Sequence, residues 1–470
     1  MIIVKIYSPP PHVANLTGDF VFRFLSFLSR NSSDCLGESY HIAEKRLFHL
    51  ERKLKNSPSL KTKYQEFIHE YENMGHMTEI PRPAFGCYLP HHGVVREASE
   101  TTKLRVVFDA SSKTASGVSF NDIQHVGPVV QDDLFSILLR YRQHRFVVSA
   151  DVEKMYRQIL VDPEQRHLQL ILWRDDPSST IKIFQLNTVT YGTASAPFLS
   201  TRCLLQLSEE CQDLGVAQLI REDFYVDDFL SGTDSEDELL KIVHSVTSIL
   251  DSACLPLRKW RTNAPSIFRT ESNTSQPKTF DMSSSQASVL GLKWNPSDDI
   301  LQFSVDMELN QPVTKRTILS KSAKLFDPLG LLSPCTIIPK IILQKLWQSK
   351  LDWDDPVDNS LLKEWNTFAE NLKSLTELAI PRCTIICNPI KIELHAFSDA
   401  SQLAYASSIY LRSIDASGHV LVRLLCAKTK VAPLKAATIP RLELCGALLS
   451  ARLSAKVLKA LRLQRLCTSK

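Results

Sequence analysis

Between Ser57 and Met77 the stretch SPSLKTKYQEFIHEYENMGHM sets Tyr64, Phe67, Ile68 and Tyr71 at helical spacing and ends on Gly75, which predicts one amphipathic helix. The period then shortens. KLRVVFDAS (103–111) reads as a strand that stops at Asp109, and FVVSADVEKMYRQILV (146–161) opens as a buried strand and meets a carboxylate at Asp151. HLQLILW and IKIFQLNTV supply two more β-type runs, expected to form antiparallel strands around that acidic point. YGTASAPFLSTRCLLQLSEECQDLG turns at Gly192 and enters a helix near Pro197, with Leu199, Cys203, Leu207 and Cys211 on one stripe and Gly215 as its stop.

Further on, Ser235 and Glu238 read as a capping box ahead of a helical face made by Leu239, Ile242, Val243, Val246, Ile249 and Leu250. The polar stretch 262–288 reads as a loop that ends at VLGLKW. Residues 314–347 mix helical spacing with proline breaks, and WDDPVDNSLLKEWNTFAENLKSL continues as helix. Alternation returns in KIELHAFSDASQLAYASSIYLR (391–412) and HVLVRLLCAK, followed by a helix from about Pro440, giving three strands and then a helix.

Length and composition widen this picture only modestly. A chain of 470 residues with 44% hydrophobic content can build two to four domains. The formal charge of +4 hints at an anionic partner without demanding one. Eleven cysteines without regular spacing suit reduced thiols in an intracellular compartment, and Cys383 and Cys387 lack the second pair that a zinc site needs. No apolar run approaches the roughly 20 residues that cross a bilayer, and the first residues do not resemble a signal peptide. FVFRFLSFLSR (20–30) reads as a short amphipathic stretch of core or helix-packing surface, so a cytoplasmic protein with no membrane partner is expected.

The chemistry gathers around REDFYVDDFLSGTDSEDELL, where Asp227 and Asp228 sit between apolar runs. Two acids at a hairpin tip are usually a solvated turn. Asp151, however, follows a run of Phe146, Val147, Val148 and Ala150, where an unpaired charge costs about several kcal/mol. If the two strands are neighbours, three carboxylates meet and repel one another. Hard divalent cations such as Mg²⁺ relieve that repulsion and leave coordination positions for phosphate oxygens.

KLRVVFDAS, SADVEKMYRQI, YGTASAPF, FYVDDF, LRKW and VLGLKW follow one another in this order. FYVDDF is similar to the tyrosine-X-Asp-Asp box of reverse transcriptases, and the succession resembles the polymerase of BEL/Pao-type LTR retrotransposons. The resemblance implies an α+β right-hand polymerase with fingers, an antiparallel-sheet palm and a thumb and connection, plus an incomplete ribonuclease H-like α/β unit. It divides the chain into a poorly matched segment 1–59, fingers and palm at 60–263, primer grip, thumb and connection-like region at 264–385, and a truncated ribonuclease H-like domain at 386–470.

The activity so implied is RNA-directed DNA polymerisation on an RNA or DNA template with primer, using deoxynucleoside triphosphates and two Mg²⁺ ions, with Mn²⁺ as a substitute. Asp151 and Asp227 would hold the metals, with Asp228 catalytic but less directly involved. Arg105, and more weakly Lys103, would contact the triphosphate. Tyr156 would be the aromatic gate against a ribose 2′-hydroxyl, while Tyr191 and Gly192 would pack on the incoming nucleotide. Lys259 is the candidate general acid, with Arg258 beside it as a competitor, and Gly291 the candidate primer grip. A surface arginine, a core tyrosine, a turn glycine and a strand bulge are the plain structural readings of the same positions.

HAFSDAS and IPRLELCGAL resemble ribonuclease H, with Asp399 in a strand and Glu443 in the first turn of a helix as part of an incomplete metal site. The 27 residues after Glu443 hold no acid, so no competent hybrid cleavage is expected from this polypeptide alone. Neither DAS sequence, at Asp109 or Asp399, has the glycine of an aspartic peptidase loop, which argues against proteolysis, and no GxxxxGK loop for ATP is present. The rival to the polymerase is a decayed or domesticated copy that binds nucleic acid without polymerising.

Overall fold

Helical periodicity near the N-terminus is realised twice. The helix Tyr40–Lys55 buries Ala43, Leu47, Leu50 and Leu54, and Pro58–Asn73 buries Tyr64, Ile68 and Tyr71 before Gly75 turns the chain at φ +72°. The computed structural model describes residues 5–7, 22–25, 27, 32–95, 104–268, 287–303, 312–435, 437–461 and 466–467; Lys103 lies outside these described residues. The chain forms two compact units that interleave along the sequence.

The first unit comprises Met1–Gln131, Val152–Arg221 and Val246–Leu257. Its three-stranded sheet runs Met77–Ile80, Lys182–Leu186, Leu170–Trp173. The two β runs after Asp151 therefore belong to this separate sheet and do not surround the acid, because Met77–Ile80 supplies the partner edge. Tyr64 stacks on Trp173 with ring centres 5.2 Å apart, and Glu51 accepts two hydrogen bonds from Arg174 at 2.7 and 3.0 Å. Part of the segment before residue 60, which the resemblance matches poorly, is thus built into this unit through the helix Tyr40–Lys55.

A hairpin pairs His91–Val95 with Leu104–Phe108. Phe22–Leu25, inside the amphipathic stretch, is a strand paired antiparallel with Lys5–Tyr7. The helix Ala196–Glu210 ends at Cys211, and Gly215 does not stop it. The Asp213 carboxylate accepts the amides of Gly215 and Val216 and so starts the next helix, Leu214–Glu222, around that glycine.

The second unit comprises Asp132–Asp151, Glu222–Ser245 and Arg258–Lys470. Its first sheet has the order Phe224–Tyr225, Asp228–Thr233, Phe146–Val152, Leu257–Thr262. A second sheet runs Ala287–Val289, Leu292–Asn295, Ile300–Gln302, Ala379–Pro381. The expected polar loop is strand up to Thr262, and residues 269–286 lie outside the described residues. Three helices, Lys315–Ala323, Ser333–Gln348 and Asn359–Asn371, share a core of Ile318, Ile342, Leu346, Trp365 and Phe368.

The third sheet has the order Val420–Val431, Ala404–Asp415, Pro389–Ala400, Leu466–Cys467. Helix Ile439–Ala460 covers one face of it. Leu442, Leu449, Leu453 and Val457 are its buried stripe, and Leu453 and Val457 share a core with Ile409, Leu411, Val147 and Leu230. The strand carrying Asp151 and this third sheet therefore rest on one continuous hydrophobic core.

A pair of buried arginines reinforces that core. The helix Leu134–Gln143 precedes the Asp151 strand, and Arg382 donates to the carbonyls of Tyr141, His144 and Arg145 at its C-terminal end while chelating Asp299 at 2.6 and 2.7 Å. In return Arg142 donates to the carbonyls of Arg382 (3.1 Å), Pro381 (3.1 Å) and Leu425 (2.6 Å). Leu425 is free to accept because the Ala404–Asp415 and Val420–Val431 ladder skips it in a bulge.

Candidate active site

The acidic hairpin is locked from its apolar side. Phe224 and Phe229 face each other in register with rings 4.9 Å apart, Phe229 packs against Trp260, and all three are fully buried. Tyr225 pairs with Asp228, so Val226 and Asp227 make a two-residue turn. Val226 sits at φ +57°, a left-handed conformation costly for a β-branched residue. Such strain persists only where surroundings over-determine it, and here the buried aromatics do.

That turn fixes the acids. Asp228 stands directly opposite Asp151 across the antiparallel ladder, with Phe229 opposite Ala150 and Leu230 opposite Ser149. Opposed side chains on neighbouring strands have Cβ atoms roughly 4.5–5.5 Å apart. Asp227 lies in the turn next to them. The ladder thus makes Asp228, which the resemblance treats as the less involved acid, the cross-strand partner of Asp151. Burial, then the charges of Asp227 and Asp151, push the Asp228 carboxyl up to about 7 against the pull of Lys259 and Arg261.

A stability signature follows. The Asp228 proton is held in the folded chain but lost from the unfolded one between about pH 4 and pH 7, so stability falls as pH rises through that window. Without divalent metal, Asp228→Asn is expected to unfold at a higher temperature than the parent at about pH 8, with the difference shrinking toward about pH 5. Thermal unfolding in chelator at both pH values measures this; a gap that does not grow with pH refutes it.

Lys259 closes the group. Its Nζ lies 2.9 Å from Oδ2 of Asp151, from a backbone held at φ +55° inside the strand Leu257–Thr262. A left-handed residue breaks the strand's alternation and re-aims the side chain. Among the described residues, no set of three or more His, Cys, Asp or Glu is drawn together as a ready metal cage. The donors nonetheless suit Mg²⁺: hard carboxylate oxygens from two adjacent strands and their turn, with an ammonium already occupying a cation's place on Asp151.

Sequence reading missed the brace beneath the hairpin. Asp223 is buried, accepts Ser231 Oγ at 2.8 Å and Arg140 Nε at 3.2 Å, and gives its carbonyl to the Leu230 amide at 2.9 Å. Arg140 also donates to the Glu222 carbonyl and pairs with Asp132. The acid of RED, just ahead of the aromatics, was the only signal for it.

A second cluster of candidate residues lies in the first unit. The Arg105 guanidinium sits 5.2 Å from the Tyr191 ring centre, and Tyr191 packs on Phe108 with ring centres 5.6 Å apart. Burial raises the Tyr191 phenol pKa, so it is a neutral hydroxyl at physiological pH. Tyr156 is half-buried in the short turn Met155–Gln158. Asn121 and Gln124, unmarked in the sequence, hold the Tyr191–Ser195 loop: Asn121 donates to the Gly192 carbonyl and accepts the Ala194 amide, and Gln124 accepts the Ser195 amide and hydroxyl.

Gly192 sits at φ +101°, and a Cβ there would lie 2.3 Å from the Phe108 carbonyl oxygen. Gly192→Ala is therefore expected to lower stability by roughly 1–3 kcal/mol and to loosen this loop. Thermal unfolding measures the loss, and an unchanged midpoint refutes it.

Gly291 (φ +87°) and Leu290 (φ +49°) form the turn between Ala287–Val289 and Leu292–Asn295, and a Cβ on Gly291 would meet the Phe326 ring at 2.8 Å. The tight turn replaces the alternative of a strand bulge. Asp399 is exposed on the strand Pro389–Ala400, where its carboxylate accepts the Ala400 amide. Glu443 is the fifth residue of Ile439–Ala460, past the first turn expected for it, because the helix starts at Ile439.

The chain is similar to known proteins in one segment of its sequence and in its fold. Residues 314–468 match the family described as the Pao retrotransposon-like RNaseH-like domain. No curated protein sequence matches the chain. Among solved structures, the foamy viral protease-reverse transcriptase in complex with RNA/DNA hybrid superposes with a TM-score of 0.53 at 14% identity over 87% of this chain and 48% of that one. A second structure of that protein, dRH in complex with double-stranded DNA, gives the same score and identity over 87% of this chain and 69% of that one. The chain thus spans about half the length of the first of these.

The fold is therefore a mixed α/β architecture that resembles a retroviral reverse transcriptase structure. Within that fold, residues 314–468 are similar to the Pao retrotransposon-like RNaseH-like domain. Among the described residues no helix is long and apolar enough to cross a membrane.

Proposed function

We propose that the chain is an RNA-directed DNA polymerase, with fingers and palm within 60–263, thumb and connection within 264–385, and the ribonuclease H-like part beyond. The observation that carries this reading is the strained Val226-Asp227 turn, which sets Asp228 opposite Asp151 with Asp227 beside them. Stored backbone strain and crowded carboxylates are costs that a purely structural hairpin has no reason to keep.

Asp151 and Asp227 would hold Mg²⁺, with Asp228 alongside. When bound, a pair of such ions supplies positive charge to the attacking hydroxyl and to the leaving pyrophosphate. The chain's own groups do the rest. The hairpin fixes where the acids stand, Arg105 offers a charged fork to phosphate beside Tyr191, and Gly192 lets the loop that carries Tyr191 close against the Phe108 carbonyl. The similar solved structures are complexes of the foamy viral protein with RNA/DNA hybrid and with double-stranded DNA. Template, primer and deoxynucleoside triphosphates are proposed here on that basis and on the order of motifs.

Primer extension on an RNA template with Mg²⁺ and all four deoxynucleoside triphosphates tests the proposal, with primer–template binding measured in parallel. Extension that requires template and metal is the expected result. Binding without extension in the parent overturns it in favour of a non-catalytic nucleic-acid-binding relic.

A further inference from the structure

We infer that Lys259 is an internal counter-cation that occupies Asp151 in the metal-free chain and must leave it before a divalent ion can bind there. The inference rests on the polymerase reading only in taking Asp151 as a metal ligand. Two independent observations carry it: the 2.9 Å contact between Nζ and Oδ2 of Asp151, and the left-handed backbone at Lys259 that turns this side chain out of the strand's alternation. A lysine serving only to cover the sheet would follow the ordinary extended path at no conformational cost.

The electrostatics give the contact a purpose. Asp228 faces Asp151 across the ladder with Asp227 in the turn beside them, so three negative charges crowd together, and the Lys259 ammonium at 2.9 Å from Asp151 opposes their repulsion. The ammonium keeps the acids assembled when no metal is present. A divalent cation on the Asp151 oxygen replaces it, since two positive charges cannot share that oxygen at contact distance without repulsion. The Lys259 side chain is about half exposed, at 48%, so a route to solvent is open when it is displaced. Metal binding and lysine release then become one exchange, and a freed ammonium is available for the proton-donor part the sequence resemblance gives it.

The probe is Mn²⁺ alone, titrated into the full-length chain and followed by electron paramagnetic resonance of the free ion, with no nucleic acid or nucleotide present. Lys259→Ala is expected to tighten Mn²⁺ binding by about threefold to fivefold, the worth of a partly exposed ion pair. The gain shrinks at high salt, which screens the competing ammonium. In an Asp151→Asn background the same substitution is expected to change nothing, which separates competition at Asp151 from a general change of field. Lys259→Arg, which keeps the charge, restores the weaker binding.

Unchanged or weaker Mn²⁺ binding in Lys259→Ala overturns the inference, as does a parent that binds no Mn²⁺. Circular dichroism of each variant checks that it is folded, and the charge-keeping arginine variant guards against a misfolded alanine variant. The two readings fail separately. A chain that shows the exchange but extends no primer loses the polymerase proposal alone, and a chain that extends primers with unchanged Mn²⁺ affinity loses this inference alone.

Discussion

Asp151→Asn is expected to abolish primer extension while leaving the fold and the hold on primer–template in place. Asparagine has nearly the shape of aspartate, and the side chain is about a quarter exposed, at 26%, so the strand Phe146–Val152 has no packing reason to move. What disappears is one negative charge from a site where charge is the working quantity. A metal-borne contribution of several kcal/mol to the transition state, at about 1.4 kcal/mol per tenfold, puts the loss at about a thousandfold or more. Single-turnover extension rates measure it, with binding of labelled primer–template as the control. A variant that still extends within about tenfold of the parent refutes the role of Asp151.

The same substitution also bears on Asp228. Removing one of the two charges that raise its carboxyl lets it ionise more easily, while Lys259 loses its partner. Metal-free stability is therefore expected to change little, because a relieved repulsion offsets a lost, half-exposed ion pair worth about 0–1 kcal/mol. Activity and stability are thus expected to separate at this position, as the proposed metal-holding role requires.

How far this centre was legible depends on the range over which each feature is determined. The FYVDDF hairpin is local: aromatics on either side of a two-residue turn specify both the pairing and the buried face, so the acids could be placed from the sequence. The helices Pro58–Asn73 and Ser333–Gln348 follow equally from periodicity and proline position. Sheet membership does not. Nothing local distinguishes the strands Leu170–Trp173 and Lys182–Leu186 from partners of the Asp151 strand, and only the distant Met77–Ile80 settles the matter. The N-terminal helix Tyr40–Lys55 escaped recognition because its motifs are few, although its buried stripe is plain once its partners are known.

The second-rank residues were hidden for a related reason. Asp223, Arg140, Asn121 and Gln124 act through hydrogen bonds to segments about 70 to 80 residues away, for which sequence carries no spacing rule. Gly215 misled because a glycine after a helical run usually stops it, whereas here Asp213 caps a new helix around it. The left-handed backbone of Lys259 is invisible in LRKW, since lysine gives no hint of it.

Arg382→Ala is expected to be the most destabilising single change in the second unit, by about 3–5 kcal/mol, the range for breaking a buried charge pair from one side. Arg382 is fully buried, and its loss leaves Asp299 without its chelating partner and strips three carbonyls from the end of the helix Leu134–Gln143. Arg142 then stays buried among carbonyls, its own pKa already lowered to about 10 by burial and by Arg382, so relief of that repulsion returns part of the cost. The losses outweigh it: Asp299 keeps Trp294 Nε1 and the Arg145 carbonyl keeps Asn263 Nδ2, but the carboxylate loses its counter-charge and the Tyr141 and His144 carbonyls lose this donor, and a hydrogen bond to a charged group is worth about 1.5–3 kcal/mol. Arg382→Lys should recover little, since an ammonium cannot reach Asp299 and the helix end with one planar fork. The comparison that isolates burial is Arg316→Ala: Arg316 chelates Asp354 with similar geometry, at 2.7 and 2.9 Å, but both side chains are mostly exposed. Its loss should cost about 1 kcal/mol or less. Urea unfolding of the three variants measures the contrast, and an Arg382→Ala midpoint as close to the parent as that of Arg316→Ala would show that the buried pair does not hold the Asp151 strand to the shared core.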